Sequence, residues 1–117
     1  MLAVAPGTKV YLAAGPTDLR RSIDGLSLLV AAQLDLDPLS GHLFVFCNRR
    51  QTNVKVLYWD RNGFCLWQKR LEKESFRWPP AQTEVVEVSA RELLWLLEGL
   101  TVEQRGAHRP LQYSSVY

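Results

Sequence analysis

Apolar positions along the chain fall into short runs of two different periods, and their order predicts the fold. Thr8–Ala13 reads as a first strand, β-branched and aromatic, entered after Pro6-Gly7. Gly15-Pro16 interrupts it, and Thr17 is placed to N-cap a helix beginning at Asp18. Leu19, Ile23, Leu26, Leu29, Val30 and Leu34 then recur at spacings of three and four, an amphipathic helix in which Gly25 is tolerated. Asp37-Pro38 and Ser40-Gly41 close the connection. Three apolar runs follow, His42–Cys47, Val54–Trp59 and Phe64–Leu71, with polar segments 48–53 and 60–63 between them.

Asn62-Gly63 suits a type I′ turn, because both residues tolerate positive φ, so these runs form an antiparallel meander. In that hairpin, odd positions on 54–59 share a face with even positions on 64–70. One face holds Lys55, Leu57, Trp59, Phe64, Leu66, Gln68 and Arg70. The other holds Val54, Val56, Tyr58, Cys65, Trp67, Lys69 and Leu71. Both faces are apolar near the turn and basic away from it, which predicts a buried turn end and a wet open end. With Asn62-Gly63 as a two-residue loop, Lys55 faces Arg70, a like-charge opposition that a bound anion or Glu72 would relieve.

Phe76–Pro80 is an extended connector, since consecutive prolines exclude helix. Glu84–Val88 alternates as a short strand, and Ser89 with Glu92 makes a capping box for a helix ending before Gly99. Leu93–Leu97 is apolar on every side, which calls for cover from two directions. Either this helix lies deep in the core, or Leu94, Trp95 and Leu97 form a partner interface anchored by Trp95. Together the elements predict one α+β domain over residues 1–100, an antiparallel sheet built on 42–71 with two packed helices, and a weakly ordered tail over 101–117.

Composition agrees with an ordinary soluble domain: 117 residues, 47% hydrophobic and 22% charged. No apolar run approaches the roughly 18 residues that span a bilayer. Nor does the N-terminus carry a basic, then apolar, secretory pattern, so a cytoplasmic protein is expected. Cys47 and Cys65 lack metal or redox spacing and read as reduced thiols.

Charge changes the picture once it is divided along the chain. Arg49, Arg50, Lys55, Arg61, Lys69, Arg70, Lys73 and Arg77 face only Asp60, Glu72 and Glu74 within 49–78, a local balance of +5 against +2 for the whole chain. Eight of the twelve aromatics lie between Phe44 and Trp78. A segment both basic and aromatic suits a polyanion. The candidate nucleic-acid-binding residues are therefore Arg49, Arg50, Lys55, Lys69, Arg70 and Arg77, gathered around the open end of the hairpin, with Trp78 as the aromatic most exposed for stacking.

Catalytic raw material is scarce. Asp18 and Asp24 lie six apart on the predicted helix, on different faces, and Asp60 sits in a turn, so no carboxylate set for divalent metals is expected. His42 and His108 are too few for zinc sets or a Ser-His-Asp triad. Phosphate-cradling Gly-rich loops are absent. No catalytic residue, metal or cofactor is expected.

One family carries the same ordered series of short motifs. Gly15-Pro16-Thr17-Asp18-Leu19-Arg20, Ile23-Asp24-Gly25-Leu26, Phe44-Val45-Phe46-Cys47-Asn48-Arg49-Arg50, Leu57-Tyr58-Trp59-Asp60, Asn62-Gly63-Phe64-Cys65-Leu66-Trp67, Lys69-Arg70-Leu71-Glu72 and Phe76-Arg77-Trp78-Pro79 are the matching runs. Over about residues 8–100 the chain resembles the TnpB or Orf2-like accessory proteins of insertion-sequence-sixty-six elements. Lys73-Glu74-Ser75 stands where that family tends to have a shorter, Gly-containing step, and the tail after Thr101 is not shared. The resemblance implies a bacterial mobile-element protein, needed for efficient transposition beside a separate transposase and without established catalytic activity. Its partners would be the transposase, other element-encoded proteins and DNA. Two other readings stay open, a protein–protein adaptor that never touches DNA and a nucleic-acid enzyme with an unrecognised site.

Overall fold

In the computed structural model, which describes residues 2–101, the chain runs β1 (Val10–Ala13), α1 (Ile23–Ala32), β2 (Leu43–Cys47), β3 (Asn53–Asp60), β4 (Gly63–Arg70), β5 (Val85–Val88) and α2 (Ala90–Leu97). The five strands form one sheet in the order β4-β3-β2-β1-β5. This is the expected α+β domain, with the 42–71 meander antiparallel throughout. The expectations placed on His108 and on the tail lie outside the described residues, apart from Thr101.

The sheet is not wholly antiparallel. β1 and β2 pair in parallel, Val10 opposite Leu43. Two parallel neighbours need a long crossover, and α1 with its flanking loops supplies it. β5 then pairs antiparallel with the other side of β1, Val10 opposite Val88. β2 is thereby interior and covered on both faces, and all five of its residues are buried.

α1 starts later than its apolar spacing suggests. Thr17 is not the cap, and Asp18 is not helical: the N-cap is Ser22. Asp18 instead accepts the Arg20 backbone N–H on Oδ1 at 3.0 Å and pairs with its guanidinium. An Asp bonding its own backbone two positions on favours a turn over a helix, so residues 18–21 stay outside α1. α2 carries the full capping box, with Ser89 Oγ accepting from the Glu92 N–H and Glu92 accepting from the Ser89 N–H.

Each face of the sheet has its own core. Leu26, Leu29, Val30 and Leu34 pack on Phe44, Phe46 and Leu57 on the α1 face. Leu93, Leu96 and Leu97 pack with Val10, Val45, Val54 and Val56 on the α2 face. The connector after β4 must travel from one sheet edge to the other, about 19 Å across four strand spacings. It contributes Phe76 and Trp78 to the α2-face core on the way. Trp78, expected at the surface, is 7% exposed, and its indole Nε1–H donates to the Ala13 carbonyl at 3.0 Å. In an extended chain neighbouring side chains point to opposite sides, so Arg77 is left exposed between two buried aromatics.

The hairpin keeps the expected faces but not the expected register or, on β3, the expected burial. Asp60 pairs with Gly63, so the two-residue loop is Arg61-Asn62 rather than Asn62-Gly63, with Arg61 at φ 58°. Lys55 consequently faces Gln68, and the like-charge opposition to Arg70 is absent; Arg70 faces Asn53. The burial gradient is reversed on β3 but kept on β4, where Gly63–Trp67 are half-buried and Gln68 and Arg70 are exposed. Val54 and Val56, toward the open end, are fully buried, whereas Asp60, Arg61 and Asn62 are exposed. The reason is visible in two long side chains. Lys55 Nζ donates to the Leu19 carbonyl at 2.7 Å on one face, and Lys69 Nζ donates to the Leu97 carbonyl at 2.7 Å on the other. The open end therefore lies between the 16–21 loop and the C-terminus of α2, and the turn overhangs them.

Candidate nucleic-acid interface

The site is built on the β2–β3 turn. Asn48 Oδ1 accepts the backbone N–H of Thr52 at 2.9 Å and of Asn53 at 3.0 Å, and its Nδ2 donates to Thr52 Oγ1 at 3.1 Å. One amide thus fixes the turn, with Gln51 in the left-handed region at φ 62°. Arg49 and Arg50 stand exposed at its tip.

The 15–21 loop forms the opposite wall. Gly15 sits at φ 72°, where a side chain is strained, and an added Cβ would lie 3.0 Å from the Ala81 Cβ. The Thr17 N–H donates to the Cys47 carbonyl at 2.7 Å, which ties the loop to the end of β2 directly beside Asn48. Asp18 and Arg20 pair at 2.8 Å, and the guanidinium holds the Asp18 carboxyl down at about 2, below its ordinary value. Lys55 braces the loop from below through Leu19, with a longer contact to the Arg21 carbonyl at 3.5 Å.

Between these walls runs a groove of about 630 Å³. Arg20, Arg49, Arg50 and Lys55 supply positive charge to its lining, Asp18 the negative charge, and Asn48, Asn53 and Gln68 neutral amides. Asn53 Oδ1 is buried there without a hydrogen-bond partner. Arg21 lines a smaller adjoining cavity of about 250 Å³ with Asp18, Gln33 and Glu84. Exposed Arg49 and Arg50 can each offer a bidentate fork to a phosphate, while Arg20 across the groove spends its Nε–Nη2 edge on Asp18. With the amides, the groove can bind a polar strand bearing negative charge.

The sequence-predicted cations are divided by the sheet. Arg49, Arg50 and Lys55 meet at the groove. Lys69 lies on the opposite face, bound to the α2 terminus. Arg70 is paired with Glu72 at 2.9 Å, and Arg77 projects from the connector after β4. Trp78 offers no exposed ring. Sequence reasoning missed Arg20, because the 17–21 segment was assigned to the helix; the signal was there in Asp18, whose carboxylate suits a turn as well as a helix start.

The second candidate surface is also redistributed. Leu97 is 5% exposed and belongs to the core, whereas Leu94 is 41% exposed. Trp95 is half-buried, with the Arg91 guanidinium 5.0 Å over its ring. Leu100, 40% exposed, follows at the end of the helix.

Among the described residues no three His, Cys, Asp or Glu side chains gather into a metal-sized cluster, and no helix is long and apolar enough to cross a membrane. Cys47 and Cys65 are free thiols, and burial pushes the Cys47 thiol up to about 12.

Comparison with known proteins agrees with this fold's motif series. An uncharacterized protein of Sinorhizobium fredii, y4hO, is 39% identical over 100 residues, covering 86% of this chain and 87% of its own length. A second from the same organism, y4jC, is 34% identical over 113 residues, covering 94% and 97%. No solved structure matches the chain. The family described as IS66 Orf2 like protein matches residues 8–107, so the shared stretch runs past Thr101 into the tail, contrary to the expectation from the motif series. Groove walls, hairpin and both helices all fall inside that match, and the chain belongs to the IS66 Orf2-like family, whose role is accessory to transposition.

Proposed function

We infer that this chain is a non-catalytic accessory protein required for transposition of an insertion sequence in the bacterial cytoplasm, and that it acts by holding a DNA backbone in the groove between the 16–20 loop and the 48–50 turn. The observation that carries the reading is the convergence of Arg20, Arg49, Arg50 and Lys55, from three separate segments, on one groove. Cations spread for solubility alone have no reason to meet. Among the described residues no three His, Cys, Asp or Glu side chains gather into a metal-sized cluster, which supports binding over metal-assisted catalysis.

Gel shift or anisotropy with element-end DNA, alone and with the transposase, tests this. Binding should weaken as salt rises, with a slope of about −0.9 per phosphate neutralised. Replacing Arg49 and Arg50 together with alanine should lower affinity evenly across sequences and flatten that slope by about two.

A second reading rests on α2. Leu94 and Leu100 are exposed beside the half-buried Trp95, an apolar surface suited to another protein. If DNA binding is absent both alone and with the transposase, the adaptor reading takes over. Transposase pull-down with the Arg49/Arg50 double variant and with Leu94→Glu then shows which surface is engaged.

A further inference from the structure

β4 lies at one edge of the sheet, and no strand among the described residues pairs with its outer side. It is eight residues long and matched to β3 without a bulge from Gly63 to Arg70. Gly63–Trp67 contains neither charge nor proline. Soluble proteins usually blunt such edges with charge, proline, bulges or brevity. The other edge follows that practice: β5 has four residues, carries exposed Glu87, and follows Pro79-Pro80. The contrast marks β4 as an edge kept open.

Which backbone groups face outward can be worked out. The Leu71 N–H donates to the Thr52 carbonyl at 2.9 Å, one step beyond the Asn53–Arg70 pair. Hydrogen-bonded and non-bonded pairs alternate along an antiparallel ladder. Lys69, Trp67, Cys65 and Gly63 therefore turn their backbone groups toward β3. Phe64, Leu66, Gln68 and the terminal Arg70 turn theirs outward.

We propose that this edge joins a second copy of the chain, β4 against β4, antiparallel and centred on Leu66. In that register Leu66 faces its own copy, Phe64 faces the partner's Gln68, and Cys65 faces the partner's Trp67. The outward groups of Phe64, Leu66 and Gln68 meet in hydrogen-bonded pairs, about six new backbone bonds. Charge selects the arrangement. Parallel pairing would bring the two Lys69-Arg70 ends together, and an antiparallel shift of one pair toward the turn would oppose Lys69 to the partner's Arg61. Centring on Leu66 sets Lys69 against Gly63 instead. Even-numbered β4 side chains then stay on the α1 face in both copies. The two Gln68 residues, and with them the two grooves, lie about 14 Å apart along the seam. The inference stands independently of what the groove binds.

Sedimentation of the full chain from low to high micromolar concentration tests it, with amide exchange followed by NMR. Gln68→Pro deletes an outward N–H and leaves the β3 ladder whole, while Gln68→Ala keeps that N–H. The unaltered chain and the alanine variant should dimerise, and the proline variant should do so at least about tenfold more weakly with unchanged melting. Amide protection that grows with concentration should be confined, within β4, to Phe64, Leu66 and Gln68. A chain monomeric across the range, a folded Gln68→Pro variant that dimerises normally, or a dimer lacking that alternating protection would overturn the proposal. Should Gln68→Pro fail to fold, the exchange pattern of the unaltered chain decides alone.

Discussion

Lys55 Nζ reaches the carbonyl of Leu19, 36 positions earlier in the chain, at 2.7 Å. One lysine therefore has two tasks. Its ammonium holds the 16–21 loop over the sheet, and its charge lies on the groove wall. Replacing it with methionine keeps most of the stem and removes both. A hydrogen bond to a charged group contributes about 1.5–3 kcal/mol, and Lys55 is only half-buried, so a loss of about 1–2 kcal/mol is expected in urea unfolding. DNA affinity should fall at the same time, with the salt slope flatter by about one. Loss of stability without any change in slope would assign Lys55 to the fold alone.

Trp78 separates packing from recognition. Phenylalanine in its place keeps the ring in the core but leaves the Ala13 carbonyl without the indole donor, at a cost of about 1–2 kcal/mol. Alanine opens a cavity and should cost about 3–5 kcal/mol. Thermal or urea unfolding reads both. Because the ring is buried, DNA affinity of the folded phenylalanine variant should match the unaltered chain. A selective loss of affinity would mean that Trp78 leaves the core to bind.

These two residues show what a sequence of this kind can and cannot disclose. The hairpin faces were legible because strand alternation is local: a two-position change of register moves partners but keeps every side chain on its face. Burial along β3 was not legible, since it depends on which distant segments come to lie over the hairpin. Lys55 and Lys69 read as one basic end, yet they serve opposite faces and bond to carbonyls 36 and 28 positions away. Trp78 read as exposed because prolines mark its segment as extended, and an extended segment can run across a core as well as around it. Arg49 and Arg50 were legible as a turn pair, whereas Arg20 became their neighbour through long-range bonds to its loop, from the Thr17 N–H to Cys47 and from Lys55 to Leu19.

Asp18 gives the groove a pH signature. Its carboxyl is held down at about 2, first by the hydrogen bonds from the Arg20 side chain and then by the Arg20 backbone N–H. A carboxyl depressed in the folded state contributes stability above its unfolded value near 4, and that contribution is lost as pH falls from there through about 2. Both partners are exposed, so the effect on overall stability is small. The titration itself is the sharper measurement. In NMR, Asp18 should titrate near 2 in the unaltered chain and move up toward its ordinary 3.8 in Arg20→Ala. An unmoved midpoint would mean that the turn backbone, rather than the guanidinium, sets it.

Asn48 offers a way to disturb the groove without touching its charge. Its side chain carries no formal charge, yet it receives two backbone N–H groups and reaches Thr52. Alanine would leave the N–H groups of Thr52 and Asn53 without their acceptor, at a cost of about 1–3 kcal/mol. Arg49 and Arg50 would remain, but on a turn free to sample other shapes. Affinity for DNA should therefore fall because more ordering is required on binding, while the number of phosphates neutralised stays the same. The salt dependence separates the two causes: Asn48→Ala should shift the whole line of log affinity against log salt downward and keep its slope, whereas the Arg49/Arg50 double variant flattens it. A flattened slope in Asn48→Ala would mean that the turn places the arginines so stringently that losing its shape loses the phosphate contacts themselves.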